Sequence, residues 1–257
     1  MRALRSILMA FSMFSRLPVP RTAWEPDNMT YMLAAFPLIG CAIGLLLWGW
    51  LWVCGALSIG TALSAAGMTL LPVAVTGGVH LDGFCDTMDA LASHAEPQRA
   101  RAILKDPHAG AFAVIGVCAY FLLYFALCTE LAPQRRFLCC FLPILSRAVS
   151  GFAGVCFPVA DKGLLHDFSA SADKRTSLGI LIAWFVIGAA AMLCFDALAG
   201  AAAAIAAAAC CAIVYRMSGR RFGGMSGDLA GYLLQTAELS MLACLVLFGK
   251  AGLVCCS

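Results

Sequence analysis

Residues 28–79 read NMTYMLAAFPLIGCAIGLLLWGWLWVCGALSIGTALSAAGMTLLPVAVTGGV, 52 consecutive positions without a Lys, Arg, Asp or Glu. A bilayer crossing takes about 20 predominantly apolar residues. The stretch therefore holds two crossings, with Gly55 to Gly60 as the turn between them. Further along, residues 109–129 form a third uncharged run, and 137–160 a fourth broken only by Arg147. Residues 176–215 carry one charge, Asp196, and are long enough for two more crossings. Residues 229–249, with Glu238 inside, make the last. The predicted spans are 31–53, 59–77, 110–131, 137–159, 178–196, 197–215 and 232–249. Six is the alternative count, and the hairpin of 178–196 and 197–215 is the weakest pair, because the run from Ala201 to Ala209 is helix-favourable but only weakly hydrophobic.

Composition agrees with this reading. Of 257 residues, 62% are hydrophobic and 12% charged, and the mean hydropathy is +0.90. A soluble domain carries about 45–50% apolar and about 25% charged residues. A disordered chain, a secreted disulfide scaffold and an ordinary cytosolic enzyme are excluded. The expected fold is an all-α, polytopic membrane helix bundle forming a single integral-membrane domain over 1–257. Residues 1–16 are expected to add an interfacial helix, with Arg2, Arg5 and Arg16 at the headgroups. No small-residue cleavage site follows the short apolar run Ile7 to Phe14, so a cleaved signal is not expected. A net charge of +3 without an interleaved basic and aromatic stripe gives no sign of nucleic-acid binding. The fourteen cysteines lie mostly inside apolar runs or as adjacent pairs, including Cys255–Cys256, and no C-x-x-C occurs. They read as packing residues.

Seven spans sort the remaining residues by side. Residues 1–30, 78–109, 160–177 and 216–231 carry thirteen Lys or Arg, Lys162 among them, whereas 54–58, 132–136 and 250–257 carry three. Cytoplasmic loops hold the Lys/Arg excess, so the first set is expected in the cytoplasm.

Acidic residues are few, and three of them fall together in GGVHLDGFCDTMDAL: Asp82, Asp86 and Asp89. On a helix, positions i, i+4 and i+7 share one face, within about 60° of each other. Three carboxylates there repel one another unless a cation lies between them, and clustered oxygens suit Mg²⁺ or Mn²⁺. A solvated acidic face is the plainer reading. The apolar opposite side of that helix (Leu81, Phe84, Cys85, Met88) argues instead for a docked element. Asp106 reads equally as a further ligand or base and as a charge at a helix N-terminus. Lys105, Arg99 and Arg101 suit a phosphate but are also positive-inside anchors. In Arg220-Arg221-Phe222-Gly223-Gly224-Met225-Ser226-Gly227-Asp228, glycines permit close approach to phosphate oxygens and Ser226 adds a donor. Arg147 and Glu238 lie within spans, where a charge marks function or an internal pair. His80 reads as a substrate contact, a partner of the metal ligands or a structural histidine. His94, His108 and His166 show no metal spacing.

Taken in order, these segments resemble the cobalamin synthase family, adenosylcobinamide-GDP ribazoletransferase, over essentially the whole chain. Phe14-Ser15-Arg16-Leu17-Pro18-Val19-Pro20 is similar to its F-x-T-R-L-P-V-P signature, with Ser for Thr. Phe36-Pro37-Leu38-Ile39-Gly40 matches its first span. His80-Leu81-Asp82-Gly83 through Asp86-Thr87 to Asp89 matches H-L-D-G-x-x-D-T-x-D. Lys105-Asp106 with Gly110, Ser146-Arg147, and Gly223-Gly224-Met225-Ser226-Gly227-Asp228 match its later motifs, followed by Gly231 and Glu238. Ala90, Pro107-His108 and Gln235 depart from the usual residues, and none of these touches the acidic triplet.

The resemblance implies transfer of α-ribazole, or its 5′-phosphate, onto adenosylcobinamide-GDP with release of GMP, in the cytoplasmic (inner) membrane. It implies catalytic roles for Asp82, Asp86, Asp89 and Asp106, with Asp82, Asp86 and Asp89 holding Mg²⁺ or Mn²⁺. Substrate contacts would come from His80, Lys105, Arg147, Arg220, Arg221, Gly223, Gly224, Ser226 and Asp228. Membrane lipid is an expected partner, and a homo-oligomer or a complex with other nucleotide-loop enzymes is left open. Two rivals are weaker. CDP-alcohol phosphotransferases carry D-x-x-D-G-x-x-A-R followed by G-x-x-x-D-x-x-x-D, whereas this chain has D-x-x-x-D-x-x-D and no Ala-Arg after it. A small transporter places its ionisable groups near mid-membrane, and only Arg147 and Glu238 fit that picture.

Overall fold

Helices that are apolar all round have no face to give to water, and they are found inside proteins or in lipid. The computed structural model, which describes residues 2–160 and 163–254 with side chains to Lys250, is built around such helices. Lys162 and the Cys255–Cys256 pair lie outside the described residues. The elements are α1 (Arg2–Phe14), α2 (Pro26–Met29), α3 (Phe36–Ala56), α4 (Thr61–Thr76), α5 (Val79–Ala92), α6 (Pro97–Ile103), α7 (Ala111–Glu130), α8 (Leu142–Cys156), α9 (Leu164–Ser171), α10 (Lys174–Phe195), α11 (Ala197–Met217) and α12 (Gly227–Val254). A 3₁₀ turn, Pro133–Cys140, leads into α8, and a π turn, Ser218–Phe222, closes α11. Among the described residues the only β pairing is an isolated bridge between Val159 and Met225.

Among the described residues, six segments are long and apolar enough to cross a membrane: Phe36–Ala56, Ala111–Glu130, Pro133–Cys156, Lys174–Phe195, Ala197–Phe222 and Gly227–Lys250. A seventh arises if α4 and α5 count as one bent span. The expected all-α membrane bundle and its six-or-seven count are therefore observed, and the chain is a multi-pass membrane protein. Several limits move by a few residues. The first span starts at Phe36 rather than 31, behind a turn and with Pro37 in its first turn. The fifth starts at Lys174, and the sixth runs on through the π turn to Phe222. Hydropathy marks the lipid-facing depth, whereas helices continue beyond it until a cap ends them.

The 59–77 span is shorter than expected and then turns. Gly77 (φ +67°) and Gly78 (φ +82°) adopt left-handed conformations open chiefly to glycine, and the chain bends by 96° between α4 and α5. Beyond the bend, α5 packs on the first turns of α7 and α12: Met88 lies against Gly116, and Phe84 stacks on Tyr232 at 5.6 Å.

At the centre stands α8, with twelve of its fifteen residues buried, surrounded by α3, α10, α11 and α12. Outward-facing side chains such as Leu122 and Ile205 are apolar and exposed, as a lipid-facing surface requires. The described cysteines are all unpaired thiols, in keeping with packing roles.

A close backbone approach joins α5 to α12. A Cβ at Gly231 would lie 2.7 Å from the His80 carbonyl oxygen, and one at Gly83 would lie 2.7 Å from Cα of Asp228. We expect Gly231→Ala to destabilise the detergent-solubilised protein by about 1–3 kcal/mol, seen as a lowered melting temperature. Gly49→Ala is the control, since nothing lies within 4 Å of a Cβ there, and it should leave melting unchanged or raise it slightly.

Candidate active site

The buried face of α5 carries His80, Leu81 and Phe84, and the opposite face carries the carboxylates. Asp82 is exposed in the first turn, and Asp86 and Asp89 are half-buried one and two turns on. The expectation of an acidic helix docked by its apolar side is met. Through the glycine contacts, Asp228 at the start of α12 arrives opposite Asp82 and Asp86. Burial, together with the charges of Asp82, Asp228 and Asp89, pushes the Asp86 carboxyl up to about 6.

Asp89 has another partner. Its two oxygens accept hydrogen bonds from the backbone N–H of Gly110 (2.5 Å) and of Ala113 (2.8 Å), which caps the N-terminus of α7. The helix-end charge considered for Asp106 is thus supplied by Asp89 from a different helix. Asp106 itself is exposed and binds His108, at 2.8 Å to the ring and 3.0 Å to the backbone N–H, which holds its carboxyl below the usual range. It stands apart from the acidic group.

The glycine-rich loop is pinned from the side. Met225 donates to the Pro158 carbonyl (2.7 Å) and accepts from the Ala160 N–H (3.1 Å). A Cβ on Gly224 would come within 2.6 Å of the Ala160 nitrogen, so the strand-like contact admits only glycine. The Ser226 hydroxyl accepts from the Leu229 N–H at 3.2 Å and caps α12.

Two clefts meet at this loop. The first, about 250 Å³, is lined by Arg101, Lys105, His166, Gly224, Ser226 and Asp228, among others. The second, about 190 Å³, is lined by Phe14, Phe36, His80, Phe168, Asp82 and Asp228. Asp228 belongs to both. The expected convergence of the 220–228 loop on the acidic helix is thus observed.

Not every expected contact comes together. Arg220 and Arg221 are exposed on the π turn and line neither cleft. Arg101 of α6 takes the place beside the loop, where a Cβ on Gly223 would lie 2.9 Å from its guanidinium. Arg147 lines neither cleft either; it lies behind the second, with its guanidinium over the Phe36 ring at 5.8 Å. It is 1% exposed and paired with Glu238 at 2.6 Å, and Ser146 donates to the same carboxylate oxygen at 2.7 Å. Of the two readings open to this arginine, the structure shows the internal pair. His166 and Phe168 lie in no motif read from the sequence, and nothing there joins them to Phe14 and Phe36, because the four come from three separate elements, α1, α3 and α9.

The fold and site define a class: a multi-pass helical membrane protein with acidic and basic side chains facing one another in clefts at one end of the bundle. The chain matches the family model described as cobalamin-5-phosphate synthase over residues 6–246. It is 38% identical over 240 residues to the adenosylcobinamide-GDP ribazoletransferase of Lachnoclostridium phytofermentans, covering 93% of this chain and 92% of that one. Identity to the proteins of the same name is 33% over 251 residues in Stutzerimonas stutzeri (94% and 97% covered) and 30% over 247 residues in Clostridium perfringens (92% and 95%). No solved structure matches. This chain belongs to the cobalamin-5-phosphate synthase family.

The buried pair yields a stability prediction. Glu238→Gln leaves Arg147 charged and uncompensated and should cost about 3–5 kcal/mol, measured by thermal unfolding in detergent. The double replacement Arg147→Met with Glu238→Leu should recover most of that loss. Asp89→Ala removes only a helix cap and should cost about 0.5–2 kcal/mol in the same assay.

Proposed function

We infer that this protein is an adenosylcobinamide-GDP ribazoletransferase. It joins α-ribazole, or α-ribazole 5′-phosphate, to the cobinamide-linked phosphate and releases GMP. The observation that carries the reading is Asp228, which stands in both clefts, with Asp82 across from it and Arg101 and Lys105 beside it. The names of the relatives supply the substrates.

A diphosphate needs positive charge on every side, and the first cleft offers it. Arg101 and Lys105 bind phosphate oxygens there, and the N-terminus of α12 adds its exposed N–H groups. A ribazole hydroxyl attacks the cobinamide-linked phosphorus while the bond to GMP breaks, and a carboxylate of the acidic group accepts the hydroxyl proton.

Mg²⁺ fits this donor set in a particular way. Among the described residues, no three His, Cys, Asp or Glu side chains form a ready metal cage. Magnesium needs none, since it is usually held by one or two carboxylates, waters and substrate phosphates. Asp82, Asp86 and Asp228 are the residues that would hold it, and their mutual repulsion is what a cation relieves. Asp89 is assigned to the α7 cap instead. When bound, the ion would neutralise charge on the diphosphate and the departing phosphate.

Purified protein in detergent should release GMP from adenosylcobinamide-GDP only when α-ribazole and Mg²⁺ are present. Asp82→Asn and Asp86→Asn should each lower turnover by at least about 100-fold without changing the melting temperature. Retention of near-wild-type turnover by both variants across a magnesium titration would remove the metal assignment.

The Lys/Arg bias supports the cytoplasmic (inner) membrane as the site, with the loops bearing the clefts on the cytoplasmic side. In a cysteine-free background, Ser226→Cys should resist an impermeant thiol reagent in intact cells and react once the cells are opened. Labelling in intact cells would reverse the orientation.

A further inference from the structure

The second cleft has a different chemistry from the first. Its walls are rings drawn from the end of α1, the start of α3, and α9. Phe14 and Phe36 lie 4.8 Å apart between centroids, and Phe14 and Phe168 lie 6.3 Å apart, edge to face. The His80 imidazole completes the group, 5.3 Å from Phe36 and 5.8 Å from Phe14. His80 is 6% exposed, and its Nε2 is buried with no hydrogen-bond partner. A second polar group in the wall, the Ser150 hydroxyl, is already spent on the Ala230 carbonyl at 3.0 Å. Carboxylates stand only with the Asp82 and Asp228 side chains.

A buried polar atom without a partner is costly unless a ligand supplies one. The ligand must therefore be flat and apolar enough to lie among phenyl rings, and it must bring one hydrogen-bonding atom for an imidazole nitrogen. An acyl chain meets the first condition only. A corrin ring or a guanosine diphosphate is too large for about 190 Å³.

We propose that this cleft holds the nitrogen-containing aromatic base of the α-ribazole substrate, with His80 Nε2–H donating to the unsubstituted ring nitrogen. The proposal rests on the transferase reading above. The base lies among Phe14, Phe36 and Phe168, and its ribose extends toward Asp82 and Asp228. The two clefts then divide the substrates, with the nucleophile in the aromatic one and the diphosphate in the basic one, and Asp228 is shared where they meet. His80 acts as a binding and positioning residue, and no bond to it forms or breaks.

The test measures binding of α-ribazole to purified protein in detergent by calorimetry, with no corrinoid substrate present. Wild type should bind α-ribazole at least about tenfold more tightly than its indole analogue, which lacks the ring-nitrogen acceptor. His80→Ala should abolish that preference, and Phe168→Leu should weaken both ligands about equally. In turnover, both variants should raise KM for α-ribazole several-fold and leave KM for adenosylcobinamide-GDP unchanged. GMP release by wild type tests the transferase reading separately. If wild type releases GMP yet binds the two ribosides within about twofold of each other, the base pocket is overturned and the activity stands. The wild-type comparison requires no variant to fold. Binding of neither riboside by a protein that turns over both substrates would also overturn the proposal.

Discussion

Backbone meets backbone where α5 crosses the start of α12, and the working end of the molecule is arranged by that contact. Gly83 lies against Asp228 and Gly231 against the carbonyl of His80. Helices in lipid gain little from burying apolar surface, because the solvent is as apolar as the protein. They associate by close packing, and small residues permit the closest approach. The consequence is electrostatic. Burial, and after it the charges of carboxylates brought together from two helices, raises the proton affinity of Asp86. That arrangement is unfavourable in the protein alone, and the cation proposed above would relieve it.

Stability and chemistry are kept on separate charges. The Arg147–Glu238 pair lies in the bundle centre, joins α8 to α12, and is closed to solvent. Asp89 is occupied at the α7 N-terminus. Asp82, Asp228, Arg101 and Lys105 line the clefts instead, and Asp86 stands beside Asp82 and Asp228. Two acidic residues seven positions apart on one helix thus have different duties, decided by which neighbouring helix each one meets.

The membrane-crossing helices, their number within one, and the acidic face of α5 were legible in the sequence, because they depend on local hydropathy and on helical periodicity. The 52-residue run at 28–79 is too long and apolar for anything but a membrane-embedded stretch, although its second helix is shorter than a full crossing. The glycine-rich loop and its approach to Asp82 were also legible, since charge matching around a diphosphate demands donors opposite a cation.

What tertiary structure alone decided is who partners whom. Arg220 and Arg221 looked like phosphate ligands by proximity to the loop, but the π turn leaves them exposed, and Arg101, more than a hundred residues earlier, stands there instead. Asp106 precedes α7 in sequence, yet Asp89 caps that helix. The aromatic cleft around His80 draws on α1, α3, α5 and α9; Phe14, Phe36 and His80 each lie in a sequence motif, but no motif shows that they meet. Periodicity and hydropathy report on a helix and its solvent. Pairing across helices depends on crossing positions, which are fixed by glycine contacts and side-chain packing between segments far apart in the chain.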